Sequence, residues 1–334
     1  MKFQMYLLFL LIPTVLFSQR HPNSQLDSVW RAGITYISEE KFDLATREFI
    51  KIEKSYPDLP VSRIYFAAIE MVKANDLGRS YPKDMIEAHL NVAEDKAKKL
   101  LAKNRGDIWN NYFYALTKAY RAYFYALQED WLSAFTNGLE SINYFQKCLD
   151  MDQQFYESHI AIHSYNYWKT RKTEFLSWLP FVSGDTGPSV ASLERYVHQV
   201  HYNQLLAMTS LQWIYIDRGE YRKAVALGEK VIEKYPGNRY FRWGIARAYE
   251  GYNRDMAVKV YLEVLASYNR QGIKSNINEI TLKHKIAMNL NALGKKAEAK
   301  RYCEEILAVK NLNTYERDVL SDRLKRVQEL YREL

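Results

Sequence analysis

Residues 211–236, with the sequence LQWIYIDRGEYRKAVALGEKVIEKYP, carry the pattern that decides the fold. Apolar residues recur at helical spacing on both sides of Gly219, and Pro236 closes the second run. Glycine can take the left-handed backbone that stops a helix, and proline stops a helix because it lacks a backbone N–H. The stretch therefore predicts two helices joined by a tight turn at Gly219.

An earlier stretch repeats the same order of small and aromatic residues. Its members follow one another at offsets of 3, 6, 3, 4 and 8 and are Gly33, Tyr36, Phe42, Ala45, Phe49 and Pro57. Gly33 would let the second helix approach the first closely, and Ala45 is small enough for a helix crossing. Weaker copies follow Pro236, at Ala246, Tyr249, Ala257 and Tyr261 and then at Ala287, Gly294, Ala299 and Ile306. The recurrence predicts an array of helix pairs.

In these residues and their spacing, the chain resembles the tetratricopeptide-repeat family. The resemblance implies an all-α fold, a right-handed superhelix of antiparallel helix pairs (an α-solenoid) with a concave face that binds ligands. Between residues 58 and 200 the family pattern weakens, but helical periodicity continues and predicts long helices at Val61–Ala74, Lys83–Leu101, Ile108–Leu127 and Trp131–Leu149.

These patterns divide the chain into five parts. The expected parts are a signal peptide (1–18), an N-terminal repeat unit (19–57), divergent helical repeats with a loop at 175–192 (58–200), C-terminal repeat units (201–312) and a capping helix (313–334). Asn313 and Glu316 have the spacing of a capping box, which predicts where the last helix begins.

The composition agrees with a helical protein and gives no sign of a nucleic-acid partner. Only 13 Gly and 8 Pro are present, few for the turns of a many-stranded β fold. The formal charge of +8 comes from 47 basic and 39 acidic residues that are interspersed along the chain. Because no basic arm or known nucleic-acid motif accompanies this charge, we interpret it as a solvated helical surface.

The N-terminus predicts export. Lys2 is followed by an apolar run from Met5 to Phe17, and Ser18 is a small residue at a plausible cleavage point before Gln19. The alternative is a membrane anchor, but the run is shorter than the roughly 20 residues of a spanning helix. We therefore expect a soluble mature protein in a periplasm or outside the cell, and we expect its two cysteines, Cys148 and Cys303, to be buried free thiols.

The stretch 175–192, FLSWLPFVSGDTGPSVAS, breaks the helical pattern with two Pro and two Gly. It predicts a loop or a short helical turn between two long helices. Either Trp178 and Phe181 plug the core, or the loop covers the groove as a lid or docking segment.

No residue pattern indicates an enzyme, a cofactor or a metal site. The chain lacks GxSxG, HExxH, a phosphate-binding glycine loop and a dinucleotide fingerprint. His159 and His163 lie four residues apart near Glu157, and His198 and His201 form a similar pair. Zinc needs at least a third ligand fixed in place, so we expect these histidines to have core or surface roles.

Partner contacts are expected on the first helix of each pair, which lines the concave face in the family. The family positions correspond here to Trp30, Ile34, Trp213, Tyr240, Trp243, Arg247 and His284, with Thr209, Glu250, Met288 and Asn291 beside them. The Lys and Asn clamp that the family uses for C-terminal carboxylates is not present, so chaperone tails are not the expected ligand. The alternative is that the tryptophans and tyrosines pack between neighbouring repeats.

Two functions follow from this reading. The first is a non-catalytic scaffold of the cell envelope that binds a protein segment along an aromatic groove, because Trp, Tyr and Arg dominate binding hot spots. The second is a binding protein for a small molecule or glycan, because aromatic rings also stack on sugars. A compact pocket beneath Trp178 would favour the second function.

Overall fold

The structure is a computed structural model, and it describes residues 20–173 and 186–334. The predicted signal peptide, Trp178 and Phe181 lie outside the described residues. The described chain forms fifteen helices: α1 (Ser24–Ser38), α2 (Phe42–Ser55), α3 (Val61–Leu77), α4 (Lys83–Lys103), α5 (Ile108–Leu127), α6 (Trp131–Met151), α7 (Tyr156–Thr173), α8 (Gly187–Tyr196), α9 (Gln204–Asp217), α10 (Tyr221–Lys234), α11 (Arg239–Tyr249), α12 (Arg254–Arg270), α13 (Asn276–Ala292), α14 (Lys296–Leu307) and α15 (Thr314–Glu333).

Short connections and small residues pack consecutive helices side by side as antiparallel pairs. Gly219 ends α9 with φ of 72°, a left-handed conformation that favours glycine. At Gly33, an added Cβ would lie 2.6 Å from Cζ of Phe49, so α2 can pack this closely on α1 only because residue 33 has no side chain. The predicted helix pair and close approach are both confirmed.

The divergent region is helical over its predicted spans. Helices α3 to α6 contain 17, 21, 20 and 21 residues, and every span predicted there lies inside one of them. The short helix α8 begins at Gly187, inside the stretch 175–192 for which a loop or a short helical turn is predicted. Pro188 suits the first turn of a helix, where its missing N–H would have no partner in any case. Within the described residues, no helix has the length and apolar character to span a membrane.

Helix α15 closes the C-terminal end of the array. The backbone N–H of Glu316 donates to Oδ1 of Asn313 at 2.9 Å, and that of Asn313 donates to Oε2 of Glu316 at 2.9 Å. This is the predicted capping box. The apolar side of the helix, with Leu320 and Val327 fully buried, covers α13 and α14. Cys148 and Cys303 are buried free thiols, as predicted, and burial raises the pKa of Cys148 to about 12.

A buried glutamate folds the chain back onto its own N-terminal half. The Glu157 carboxylate accepts backbone N–H groups from His201 at 2.7 Å, Tyr202 at 2.8 Å and Asn203 at 3.1 Å. Tyr202 then stacks on Trp30 with ring centroids 3.9 Å apart. Segment 201–203 therefore fills the concave side of α1.

A second buried contact joins the turns of the N-terminal helices to the C-terminal repeats. Arg239, at the start of α11, is 2% exposed and reaches both Glu40 and Asp76. Its Nε lies 2.8 Å from Oδ1 of Asp76, and its Nη2 lies 2.7 Å from Oε2 of Glu40. Gln271 accepts from Nη1 at 2.7 Å. The guanidinium group thus connects α3, the turn after α1 and the end of α12. We call Arg239, Glu40, Asp76 and Gln271 the Arg239 lock.

Several neutral contacts surround the lock. The Asn238 side chain donates to the carbonyl of Ser38 at 2.9 Å, and that of Asn278 donates to the carbonyl of Asp76 at 2.7 Å. The Tyr268 ring lies under the Arg239 guanidinium at 4.8 Å. Because these contacts join residues far apart in sequence, the solenoid closes on itself instead of remaining an open spiral.

We expect Arg239→Met to destabilise and open the protein. The change leaves Glu40 and Asp76 buried without a cation, which costs about 3–5 kcal/mol. Urea unfolding measures the loss, and small-angle X-ray scattering measures the radius of gyration, which should increase. Arg47→Met, at an exposed site on α2, is the matched control. Unchanged stability and size in Arg239→Met would show that the lock does not hold the closed form.

The lock also makes stability depend on pH. Burial and the Asp76 carboxylate raise the pKa of Glu40 to about 7, although Arg239 opposes them. The ordinary pKa of a glutamate is 4.5, so between pH 4.5 and about 7 Glu40 keeps a proton in the folded protein that it has lost in the unfolded chain. Stability should therefore fall as pH rises from about 4.5 through about 7.

Glu40→Gln should flatten this part of the stability profile, because the residue no longer titrates beside Asp76, Arg239, Arg242 and Tyr268. The urea midpoint, measured across that pH range, tests the effect. Glu87→Gln, at an exposed site on α4, should keep the parent slope. A Glu40→Gln profile as steep as that of the parent would assign the pH dependence to other groups.

Candidate functional site

The residues predicted to contact a partner divide into a buried group and an accessible group. Trp30 is fully buried and Ile34 half-buried in the core of the N-terminal half. Trp30 contacts Tyr202, Trp109 and Tyr65. The prediction of Trp30 as a partner contact is therefore corrected, because segment 201–203 occupies the concave side on which a partner would lie.

His284 is also corrected. Its side chain is 3% exposed, and Nδ1 lies 3.2 Å from Nη1 of Arg323 on α15. Because arginine can only donate, Nδ1 accepts this bond and carries no proton. Burial, together with Arg323, Arg326 and Lys285, lowers the pKa of His284 to about 4. The ring is thus a neutral support for Arg323 and not a surface contact.

The accessible group lies on α9 and α11. Tyr240, Trp243 and Arg247 are three and four residues apart, which places them on one side of α11. Trp213 of α9 contacts Tyr240 edge-on at 6.2 Å between ring centroids. We call the surface formed by Trp213, Tyr240, Trp243 and Arg247 the aromatic face. The structure brings Trp213 and Tyr240 into contact, and helical spacing places Trp243 and Arg247 on the same side of α11 as Tyr240.

Within the aromatic face, the side chains differ in accessibility. Tyr240 is 44% exposed and Arg247 is exposed, whereas Trp213 and Trp243 are half-buried. Trp243 packs edge-on against Tyr261 at 5.7 Å, so it also serves as core between α11 and α12. Met288 is exposed, and Thr209 and Asn291 are half-buried.

Two phenol groups have raised pKa values. Burial, and then the Tyr123 hydroxyl, raise the pKa of Tyr240 above its ordinary value, although 44% of the residue is exposed. Tyr123, on α5, is itself 45% exposed, and burial raises its pKa. Both phenols therefore stay neutral at neutral pH.

The polar atoms of α9 beside this face differ in their contacts. The Trp213 side chain interacts with the Tyr240 hydroxyl, which opposes the rise in the pKa of Tyr240. Among the described residues, Oγ of Ser210 is buried and makes no hydrogen bond.

Sequence reasoning missed Tyr123. The aromatic residues of α5 gave no signal, because the effect of Tyr123 on Tyr240 joins helices that are far apart in sequence.

The histidine pairs do not form a metal centre. His159 and His163 stack in parallel with ring centroids 5.9 Å apart, and His159 also stacks on Tyr196 at 4.3 Å. Glu157 turns away from them toward segment 201–203. Nε2 of His201 lies 3.4 Å from Nε of Arg20, and His198 is exposed. In residues 20–173 and 186–334, no three His, Cys, Asp or Glu side chains are grouped closely enough to hold a metal ion.

Helices α9 to α14 place glycine, alanine and aromatic residues at equivalent points of successive antiparallel pairs. The fold is an α-solenoid of the tetratricopeptide-repeat type.

Several solved structures are similar to this chain. The C-terminal part of a TPR repeat-containing protein from Cytophaga hutchinsonii is 18% identical over 87% of this chain and 99% of that one, with a TM-score of 0.42. A thermophilic TPR protein from Thermus thermophilus is 15% identical over 67% and 98%, with a TM-score of 0.40. The TPR2AB domain of yeast Sti1, solved in a pHSP90 complex, is 13% identical over 92% and 97%, with a TM-score of 0.27. No protein-family model and no curated protein sequence matches the chain.

Proposed function

We propose that this protein is a non-catalytic scaffold that binds a segment of a partner protein on the aromatic face. The observation that carries the proposal is the group of Trp213, Tyr240 and Arg247, which combines accessible aromatic area with an exposed charged donor. Large, stiff aromatic side chains and arginine supply most of the energy at protein interfaces. An extended or helical segment would lie across α9 and α11 toward Tyr123.

The aromatic face supports this function better than catalysis. Its tyrosine, Tyr240, and Tyr123 of α5 have raised pKa values, so both phenols remain neutral and serve as contact surface and hydrogen-bond donors. A general acid or base would need a pKa near the working pH. A small molecule or glycan is the second candidate ligand, favoured by the same accessible aromatic rings.

Trp213→Ala and Tyr240→Ala should each weaken partner binding by about 2 kcal/mol, roughly thirtyfold, because each removes aromatic contact area from the centre of the face. The partner is first identified by photo-crosslinking from position 240 in envelope extract and is then purified. Its affinity for the parent and for each variant is measured by isothermal titration calorimetry.

Tyr252→Ala is the matched control, because Tyr252 is an exposed aromatic outside the aromatic face. Circular dichroism must show the same helix content in all variants. If the Trp213 and Tyr240 variants bind the purified partner as tightly as the Tyr252 variant does, the aromatic face is not the interface. If only glycans or small molecules are retained, the second candidate function replaces the first.

We also propose that the protein is exported and acts in a periplasm or outside the cell. The apolar run from Met5 to Phe17, followed by Ser18, supports the proposal. N-terminal sequencing of protein purified from the native host should begin at Gln19. Replacing Leu8 and Leu11 by Arg should retain the chain in the cytoplasm, because charged residues disrupt the apolar region of a signal peptide. An N-terminus that still begins at Met1 would refute cleavage.

A further inference from the structure

Helices α11, α13 and α15 bring positively charged side chains together beside the aromatic face. The members are Arg247 of α11, Lys285 of α13, and Arg323 and Arg326 of α15. Packing holds them in place, because the apolar side of α15 lies against α13 through Leu320 and Val327. We call this group the cationic cluster. Arg247 belongs to both the cluster and the aromatic face.

One carboxylate lies within the cluster. Glu250 accepts a bond from Tyr261 at 2.7 Å, and its Oε1 lies 3.2 Å from Nζ of Lys285. Arg247 also contacts Glu250. Because a single carboxylate serves two of the cations, most of the positive charge of the cluster is not neutralised.

The two arginines of α15 have no acidic partner. Among the described residues, no carboxylate lies within ion-pair distance of Arg323 or Arg326. Arg323 contacts the neutral His284 ring instead, and Arg326 is exposed. Other buried cations of this chain are paired more fully: Arg239 has two carboxylates, and Lys118 has Glu94 at 3.2 Å and Glu140 at 2.9 Å. Among the described residues, the α15 arginines therefore add positive charge that no carboxylate pairs at ion-pair distance.

The titration of the cluster agrees with its geometry. Burial lowers the pKa of Lys285, and Arg247 and Arg323 lower it further, although Glu250 raises it. Burial and then Arg326 lower the pKa of Arg323. Cations that lower one another's pKa repel one another, and an anion among them would relieve that repulsion.

We infer that the cationic cluster binds an anionic oxygen group, a carboxylate or a phosphoryl group, of the segment that lies on the aromatic face. Arginine matches both groups because its planar fork can donate two parallel hydrogen bonds. The Lys and Asn clamp of the family is a different arrangement, because here arginines of the capping helix supply the uncompensated charge. The inference rests on the proposed function and gives the partner an acidic character.

His284 provides the reporter for the test. Its neutral ring contacts Arg323 and faces Arg326, Lys285 and Glu250. An anion bound in the cluster should therefore raise the pKa of His284 above about 4, its value in the protein without the anion. The experiment uses the mature chain from Gln19, with histidine side chains followed by NMR over a pH series. His284→Gln identifies the His284 signal among the seven histidines.

Two probes are titrated at constant ionic strength against a chloride blank: inorganic phosphate and a polyglutamate peptide. Either probe should raise the pKa of His284, and the more effective probe identifies a phosphoryl group or a carboxylate as the preferred ligand. In Arg326→Gln, affinity for that probe should fall at least roughly tenfold, because one of the charged donors is lost. Since Arg326 is exposed, this variant should fold normally.

Arg332→Gln is the matched control, because Arg332 is exposed on the same helix and is not among the groups that shift the pKa of His284. If neither probe moves His284, or if the Arg326 and Arg332 variants bind alike, the inference is overturned. The outcome is separable from that for the proposed function. If Trp213→Ala loses partner binding but the parent protein binds neither anion probe, only the inference is overturned. If the parent protein binds an anion probe but Trp213→Ala keeps its full affinity for the partner, only the proposed interface is overturned.

Discussion

The buried guanidinium group of Arg239 is the contact that holds the N-terminal helices against the C-terminal repeats. Arg239 begins α11, and it satisfies its charge with Glu40 and Asp76 from the first three helices. An isolated buried charge is costly, so the N-terminal turns must remain against α11 to keep the arginine paired. This constraint holds the turn after α1 and the end of α3 against the start of α11.

The two halves of the concave side consequently have different roles. In the N-terminal half, Glu157 binds segment 201–203, and Tyr202 covers Trp30, so the protein supplies its own occupant. In the C-terminal half, no described segment covers Tyr240 or Arg247, and both remain exposed. The aromatic residues therefore cannot be judged by type alone: Trp30 and Trp213 are both inner-helix tryptophans, but only Trp213 borders an accessible face.

The fold could be predicted from local signals, because each of them acts within one helix pair. Gly33 and Gly219 mark a close approach and a turn, and Asn313 with Glu316 marks the start of α15. These effects depend on neighbours within a few residues or one turn. The beginning of α8 was missed for a local reason too, because Pro188 and the adjacent glycines indicate a loop as readily as the first turn of a helix.

The site could be predicted only in part, because it depends on contacts between residues far apart in sequence. The face of α11 followed from helical spacing, whereas the burial of Trp30 under Tyr202 and the contact of Arg323 with His284 depend on how separate helices pack. The cationic cluster differs from two buried cations of this chain, because Arg239 and Lys118 are matched by carboxylates and Arg323, among the described residues, is not. Folding alone would favour an acidic residue beside Arg323. An unmatched charge that lowers stability is retained most readily where it binds something, and that is the physical reason to look for an anionic ligand at this end of the array.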